Sequence, residues 1–117
     1  MRSPIATVHR EADGLVVCER CLLARTPWLR IKGLLGRAEL PDDEGILLEP
    51  ASSIHMLLMR FSIDAVFLDR ELRVIRIVAG LRPWRIAGAR GARAVLELAA
   101  GACERRGVRE GDLLSLD

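Results

Sequence analysis

The stretch that decides the fold is residues 54–69, IHMLLMRFSIDAVFLD. This stretch is too apolar for a strand with one face in water. It therefore predicts two strand pieces, residues 54–61 and 63–68. The second piece is predicted to be buried on both faces. We therefore predict a strand-rich domain whose sheet is organised around this segment.

On the N-terminal side, residues 5–9 and 15–19 are β-favouring runs on either side of an Asp13-Gly14 turn, which predicts a hairpin. A helix is predicted to follow, with Thr26 as its cap and Pro27 at its first position. Gly36 is expected to end that helix, which places Gly33 inside it. Residues 46–48 then predict a short strand.

On the C-terminal side, residues 72–78 carry Arg73 and Arg76 three positions apart, and this mismatch with strand alternation predicts a bulge near Val74 and Ile75. Pro83 limits residues 81–86 to an edge strand or a loop. Further elements are expected at residues 94–98 (strand), 99–106 (helix) and 113–116 (strand). The predicted fold class is mainly β, a β-barrel or sandwich-like, mostly antiparallel sheet with two short helices, in one domain over residues 1–117.

Composition argues against several classes of function. The 117 residues include 18 basic and 16 acidic side chains, interspersed along the chain, with two Phe, two Trp and no Tyr. This leaves neither a basic stripe nor stacking rings for nucleic acid. Because there is no apolar run of about 18 residues and no secretory signal core, we expect a soluble, cytoplasmic protein without a nucleic-acid or membrane partner. The oligomeric state stays open.

Charged side chains inside the central stretch are the main candidates for a site. His55 and Asp64 lie in apolar surroundings, where each needs a hydrogen-bond partner. Asp64 is expected to pair with an Arg or with backbone donors, and Arg60 is the nearest partner by type. Strand alternation would put His55 and Met59 on one face and Arg60 on the other. Bracing of the bend at residues 61–62 and ligand binding both stay open.

A second candidate is Arg82-Pro83-Trp84-Arg85, which combines two guanidinium groups and an indole on a loop. Such a loop suits a carboxylate, a phosphate or a planar ligand. The competing interpretation is a loop anchored by Trp84 with solvated arginines.

The cysteines and the catalytic motifs give weaker signals. Cys18 and Cys21 form C-x-x-C, half of a zinc site or a redox pair, but ordinary buried thiols are the favoured interpretation. We expect no metal and no cofactor. The common nucleophile, nucleotide-binding and zinc-protease motifs do not occur, so an enzyme is not required by the sequence.

An ordered series of motifs resembles the bacterial and archaeal family called domain of unknown function 192. These motifs are R-x-x-GLLGR, EGILLEP, SIHMLLMRFSIDAVFLD, RPWR, VLELAAG and REGDLL, and they span residues 16–117. The resemblance implies a compact β-barrel or sandwich-like domain and no established activity. The positions that match family motifs are Arg30, Gly33, Gly36, Arg37, His55, Met59, Arg60, Asp64, Glu97, Gly101, Gly111 and Asp112. The chain departs from the family pattern at Ser62, Leu72 and Ala51, where Pro, a turn Gly and Cys are usual.

The leading functional hypothesis is a β domain that binds a small anionic or polar ligand in a pocket near Arg60 and Asp64. The proposed lining residues are His55, Met59, Arg60, Asp64, Arg82, Trp84 and Arg85. One alternative is a small hydrolase or lyase with His55 as base and Asp64 as its orienting partner. Another is an interaction module that adds a partner strand at an exposed sheet edge.

Overall fold

The computed structural model describes residues 4–117, which form nine strands and two short helices. In chain order they are β1 (Ile5–Arg10), β2 (Val16–Ala24), α1 (Pro27–Lys32), β3 (Glu44–Leu48), β4 (Ser53–His55), β5 (Ile63–Leu68), β6 (Val74–Leu81), β7 (Ile86–Gly88), β8 (Ala94–Ala99), α2 (Ala102–Arg106) and β9 (Leu114–Leu116). The predicted fold class, mainly β with two short helices, is confirmed.

Seven strands form one sheet in the order β6-β5-β8-β3-β2-β1-β9, and β4 pairs with β7 in a separate two-stranded sheet. β2 and β3 run parallel, and the other pairings among the named strands are antiparallel. The predicted opening hairpin is β1 with β2. A mostly antiparallel sheet is what the sequence predicts.

The large sheet does not close into a barrel. Its edge strands approach each other at the start of β6, where Arg73 forms an isolated bridge with Leu113. The backbone N–H of Val74 also donates to the carbonyl of Asp112 over 2.8 Å. Because β9 is only three residues long, pairing stops there, and the barrel form of the prediction is not realised.

The sheet carries apolar side chains on both faces. All six residues of β5 are buried, as predicted. Ile63, Ala65 and Phe67 belong to one apolar cluster, which we call the pocket-side core. Val66 and Leu68 belong to the other, which includes residues of α2 and which we call the α2-side core. This alternation is the period of two expected for a strand covered on both sides.

The predicted strand over residues 54–61 is wrong beyond His55, where β4 ends. The N–H of Met59 donates to the carbonyl of Met56 over 3.2 Å, which forms a turn. Leu58 within that turn has φ 65°, a left-handed conformation that cannot continue a strand. The predicted strand alternation, with His55 and Met59 on one face and Arg60 on the other, therefore does not apply to this segment.

The end of α1 and the start of α2 differ from the prediction. α1 ends at Gly33, with φ 46°, and not at Gly36, so Gly33 terminates the helix instead of interrupting it. α2 begins at Ala102 and is shorter than predicted. The bulge predicted near Val74 and Ile75 is confirmed, because Phe67 pairs with Arg76 while Leu68 pairs with Val74.

Candidate functional site

A pocket of about 510 Å³ opens on the pocket-side core. One wall is α1 and the turn after it. The opposite wall is formed by the end of β3 and by residues 50–55, with Met59 beside them, and Glu97 of β8 lies at the base. The volume lies within the range of about 300–1,000 Å³ that small-molecule sites occupy.

Glu97 is the unusual residue of this pocket. It pairs with Ile46 on one side and with Ala65 on the other, so its side chain rises from an apolar part of the sheet. Only 6% of Glu97 is exposed, and burial raises the pKa of its carboxyl from 4.5 to about 7. No donor among residues 4–117 offsets this burial. A carboxyl in such surroundings switches between neutral and charged forms near neutral pH.

Arg30 brings a second incompletely bonded group to the same pocket. One guanidinium nitrogen, Nη1, donates to the carbonyl of Pro50 over 3.0 Å. The Nε of Arg30 is buried and has no hydrogen-bond partner in the described part of the chain. Within that part Arg30 also forms no ion pair with Glu97. A buried donor therefore lines the same cavity as the carboxyl of Glu97, and neither group satisfies the other.

The sequence around α1 explains how Arg30 is held. The hydroxyl of Thr26 accepts a hydrogen bond of 3.2 Å from the N–H of Leu29, and Pro27 occupies the first turn. Leu34, which follows the helix, is buried in the pocket-side core. The cap fixes the start of the short helix, and Leu34 anchors its end to the core.

Asp64 lies on the other face of the sheet. Its Oδ1 accepts hydrogen bonds from the backbone N–H groups of Gly80 (2.9 Å) and Gly101 (3.1 Å), and its Oδ2 accepts one from Cys103 (3.0 Å). It is fully buried. Both oxygens are thus used to join β5 to β6 and to the start of α2. Asp64 has a structural role in this arrangement.

Sequence comparison shows which family this architecture belongs to. The model of DUF192, described as Uncharacterized ACR, matches residues 8–116. The chain belongs to the DUF192 family. A search of curated proteins gives no significant match.

Two solved structures have the fold of this DUF192 chain. A protein of unknown function from Novosphingobium aromaticivorans is 31% identical, with a TM-score of 0.81 over 95% of this chain and 83% of that one. A "putative transcription regulator" from Sinorhizobium meliloti is 26% identical, with a TM-score of 0.86 over 99% of this chain and 96% of that one.

Seven of the twelve residues that resemble DUF192 motif positions fall into two groups in the structure. Arg30, Gly33, His55, Met59 and Glu97 line the pocket although they come from three separate parts of the chain. Asp64 and Gly101, by contrast, hydrogen bond to each other on the opposite face. One group of motif positions therefore forms a cavity, and the other holds the sheet to α2.

Of the predicted site residues, only His55 and Met59 line the pocket. Arg60, Arg82, Trp84 and Arg85 are exposed outside it. Asp64 binds backbone N–H groups instead of Arg60, so the predicted Arg60–Asp64 pair is not formed. The reason is that residues 56–61 form a turn, exposed at Leu57, Leu58 and Arg60, and not a strand next to β5.

The predicted His55–Asp64 dyad is not formed either. His55 is exposed at the rim of the pocket, whereas Asp64 faces α2 across the sheet. The oxygens of Asp64 are already occupied by three backbone donors. The orienting partner that a histidine base would require is therefore missing in this pair.

The cysteines lie in the α2-side core, away from the pocket. Interaction between the neighbouring Cys18 and Cys21 thiols lowers the pKa of Cys18 and raises that of Cys21. Burial raises the pKa of Cys103 to about 12. Residues 4–117 contain no group of three or more His, Cys, Asp or Glu side chains placed to hold a metal ion. Among the same residues, no helix is long and apolar enough to cross a bilayer.

Glu97 and Arg30 carry the polar groups of the pocket, but neither is among the site residues predicted from the sequence. A local signal for Glu97 exists, since it interrupts a strand whose other five residues are all apolar, AVLELA. A charged residue in such a strand needs a partner or a function. Arg30 carries no comparable signal, because an Arg in a short exposed helix is ordinary.

Proposed function

We propose that this DUF192 domain binds a small molecule with an apolar body and a polar group that hydrogen bonds to Glu97. The observation that supports this most directly is a buried, unpartnered carboxyl at the base of a pocket of about 510 Å³. Pockets of this size with few convergent polar groups are the usual form of small-molecule sites.

The polar groups of the pocket limit the chemistry of the ligand. Arg30 Nε can only donate a hydrogen bond. Glu97 can accept one when ionised and can also donate when protonated, a change that its pKa of about 7 places near neutrality. A hydroxyl or a primary amide offers both a donor and an acceptor, so it can satisfy both residues at once. This favours the polar half of our initial hypothesis, a small anionic or polar ligand.

A series of probes with one apolar body tests this chemistry. Benzamide, benzyl alcohol, benzoate and benzylamine would be titrated into the protein while backbone amide resonances are followed. We expect benzamide and benzyl alcohol to shift the resonances of Glu97 and Ala51, which line the pocket, and of Ile46, which pairs with Glu97. Weaker shifts are expected with benzylamine, because its cation would lie beside Arg30.

The variant Glu97→Leu keeps the size of the side chain but removes its polar atoms, and it should abolish these shifts. Its matched control is Glu110→Leu at an exposed position. If no probe moves the resonances of pocket residues, or if Glu97→Leu binds as the parent protein does, the proposal is wrong.

Two other roles do not rest on this pocket. A partner strand added at an edge could use β6 beyond Val74, where the segment before β9 no longer pairs with it, or either strand of the β4–β7 sheet. That alternative stays a prediction. The Sinorhizobium protein is described as a transcription regulator. That role would require a surface that binds nucleic acid, and Glu97 at the base of a cavity does not form part of such a surface.

A further inference from the structure

Large apolar side chains are exposed around the mouth of the pocket. Leu58 is 68% exposed, Trp84 62% and Ile86 72%, and Leu57 is exposed beside them. α1 exposes further apolar surface at Ile31, which lines the pocket, and at Trp28 on the same helix. We call these six residues the apolar rim: Trp28, Ile31, Leu57, Leu58, Trp84 and Ile86.

The loops on one side of the rim are hydrogen bonded to each other. The N–H of Trp84 donates to the carbonyl of Met56 over 2.8 Å, and the N–H of Met56 donates to the carbonyl of Arg85 over 2.7 Å. His55, which lines the pocket, pairs with Ile86. Residues 55–58 and 84–86 therefore form one continuous surface that reaches the pocket.

Backbone strain fixes two of these side chains at the tips of their turns. Leu58 has φ 65° and Trp84 has φ 69°, although neither is a glycine. A left-handed conformation costs roughly 1–2 kcal/mol for such residues, and strain of this kind concentrates at functional sites. Leu58 and Trp84 therefore combine a strained backbone with an exposed large apolar side chain.

The chain segments that carry the rim bear charges of one sign, although Glu49 and Glu44 from outside them pair with Arg25 and Arg37. Residues 25–37, 54–62 and 82–87 contain seven Arg or Lys residues and no Asp or Glu, although the chain has 16 acidic residues in all. Four of these cations, Lys32, Arg60, Arg82 and Arg85, are exposed and form no ion pair within residues 4–117. The sequence shows both signs interspersed, but the fold gathers cations next to the apolar rim.

We propose that this end of the molecule docks on an anionic lipid membrane surface. Leu58 and Trp84 would enter the headgroup region, and Arg60, Arg82 and Arg85 would lie against lipid phosphates. Nucleic acid would use the cations but leave the aliphatic side chains in water. A lipid interface satisfies both, because apolar burial and attraction to anionic headgroups act together there. This proposal differs from the expectation of no membrane partner, which rested on the lack of a long apolar run in the sequence.

Co-sedimentation with vesicles tests the proposal. We expect the protein to bind vesicles of phosphatidylglycerol and phosphatidylcholine, and not vesicles of phosphatidylcholine alone. Tryptophan emission should shift to shorter wavelength on binding, since Trp28 and Trp84 are both exposed in the free protein. The double variant Arg82→Gln, Arg85→Gln should weaken binding on the order of tenfold.

Arg20→Gln combined with Arg70→Gln is the matched control, because both residues are exposed elsewhere and the change in net charge is the same. It should bind within about twofold of the parent protein. Leu58→Ser should also weaken binding while keeping every charge. Equal losses in the two double variants, absence of binding to anionic vesicles, or binding to duplex DNA with the same dependence on Arg82 and Arg85 would each overturn the proposal.

Discussion

Asp64 of β5 accepts a hydrogen bond of 3.0 Å from the backbone N–H of Cys103 in α2, and this contact joins the large sheet to the helix. α2 has five residues and lacks a side-chain cap of its own, since Gly101 stands at the cap position. A helix of that length is marginal alone. Asp64 therefore supplies from the sheet the acceptor that the start of the helix requires.

Replacing Asp64 by Asn should destabilise the protein by about 3 kcal/mol, because an amide NH₂ would face a backbone donor in a fully buried place. Urea unfolding would measure the loss. Asp43→Asn is the control, since Asp43 is exposed, and it should change the free energy of unfolding by less than about 0.5 kcal/mol. Similar losses in the two variants would contradict the structural role of Asp64.

Leu58→Asn should stabilise the protein by about 1 kcal/mol, because Asn tolerates the left-handed conformation better than Leu. Little burial is lost, since the side chain is 68% exposed. The control is Leu57→Asn, at a neighbour that is 40% exposed and does not have positive φ. If thermal unfolding showed Leu58→Asn to be less stable than the parent protein, that result would contradict backbone strain at Leu58.

The sequence predicts the parts of the fold that depend on local pattern. β5 was identified because its six residues are apolar apart from Asp64, and the first hairpin because of the Asp13-Gly14 turn. The bulge at Ile75 followed from arginine spacing. The strand predicted for residues 56–61 is wrong because hydrophobicity indicates a buried strand and a partly exposed apolar turn equally well. Only tertiary contacts decide between them.

The site was less accessible to sequence reasoning because it depends on contacts between distant segments. Arg30 and Glu97 are separated by 67 positions and meet only through the pocket between α1 and β8. Asp64 is predicted as a site residue because a buried carboxylate needs hydrogen-bond partners, and the same need explains its structural role. Nothing in the sequence shows that backbone N–H groups from β6 and α2 satisfy it.

Gly45→Ala should destabilise the protein by about 2 kcal/mol, because a Cβ there would lie 2.8 Å from the carbonyl oxygen of Glu97 and 3.0 Å from the Sγ of Cys18. The pairing of β3 with β8 would have to shift, and Glu97 would shift with it. Gly14→Ala provides a comparison, since that site has open space and only left-handed strain, worth about 1 kcal/mol. Equal melting temperatures for Gly45→Ala and the parent protein would contradict the close approach.

Glu97 should make the stability of the protein depend on pH. In the unfolded chain this carboxyl loses its proton near its ordinary pKa of 4.5, but in the folded protein it keeps the proton up to about pH 7. The folded state therefore binds more protons between these values, so this residue lowers stability as pH rises through the window. The accumulated loss is about 3 kcal/mol above it.

Glu97→Gln removes this titration and should be more stable than the parent protein at about pH 8, by up to about 3 kcal/mol. The advantage should shrink as the pH falls and vanish below about pH 3.5, where the parent carboxyl is neutral in both states. Glu110→Gln, the same change at an exposed position, should show no such trend. Urea unfolding across this range measures both. If the gap between Glu97→Gln and the parent protein stayed constant with pH, the raised pKa of Glu97 would be refuted, and with it the switchable hydrogen bonding proposed for the pocket.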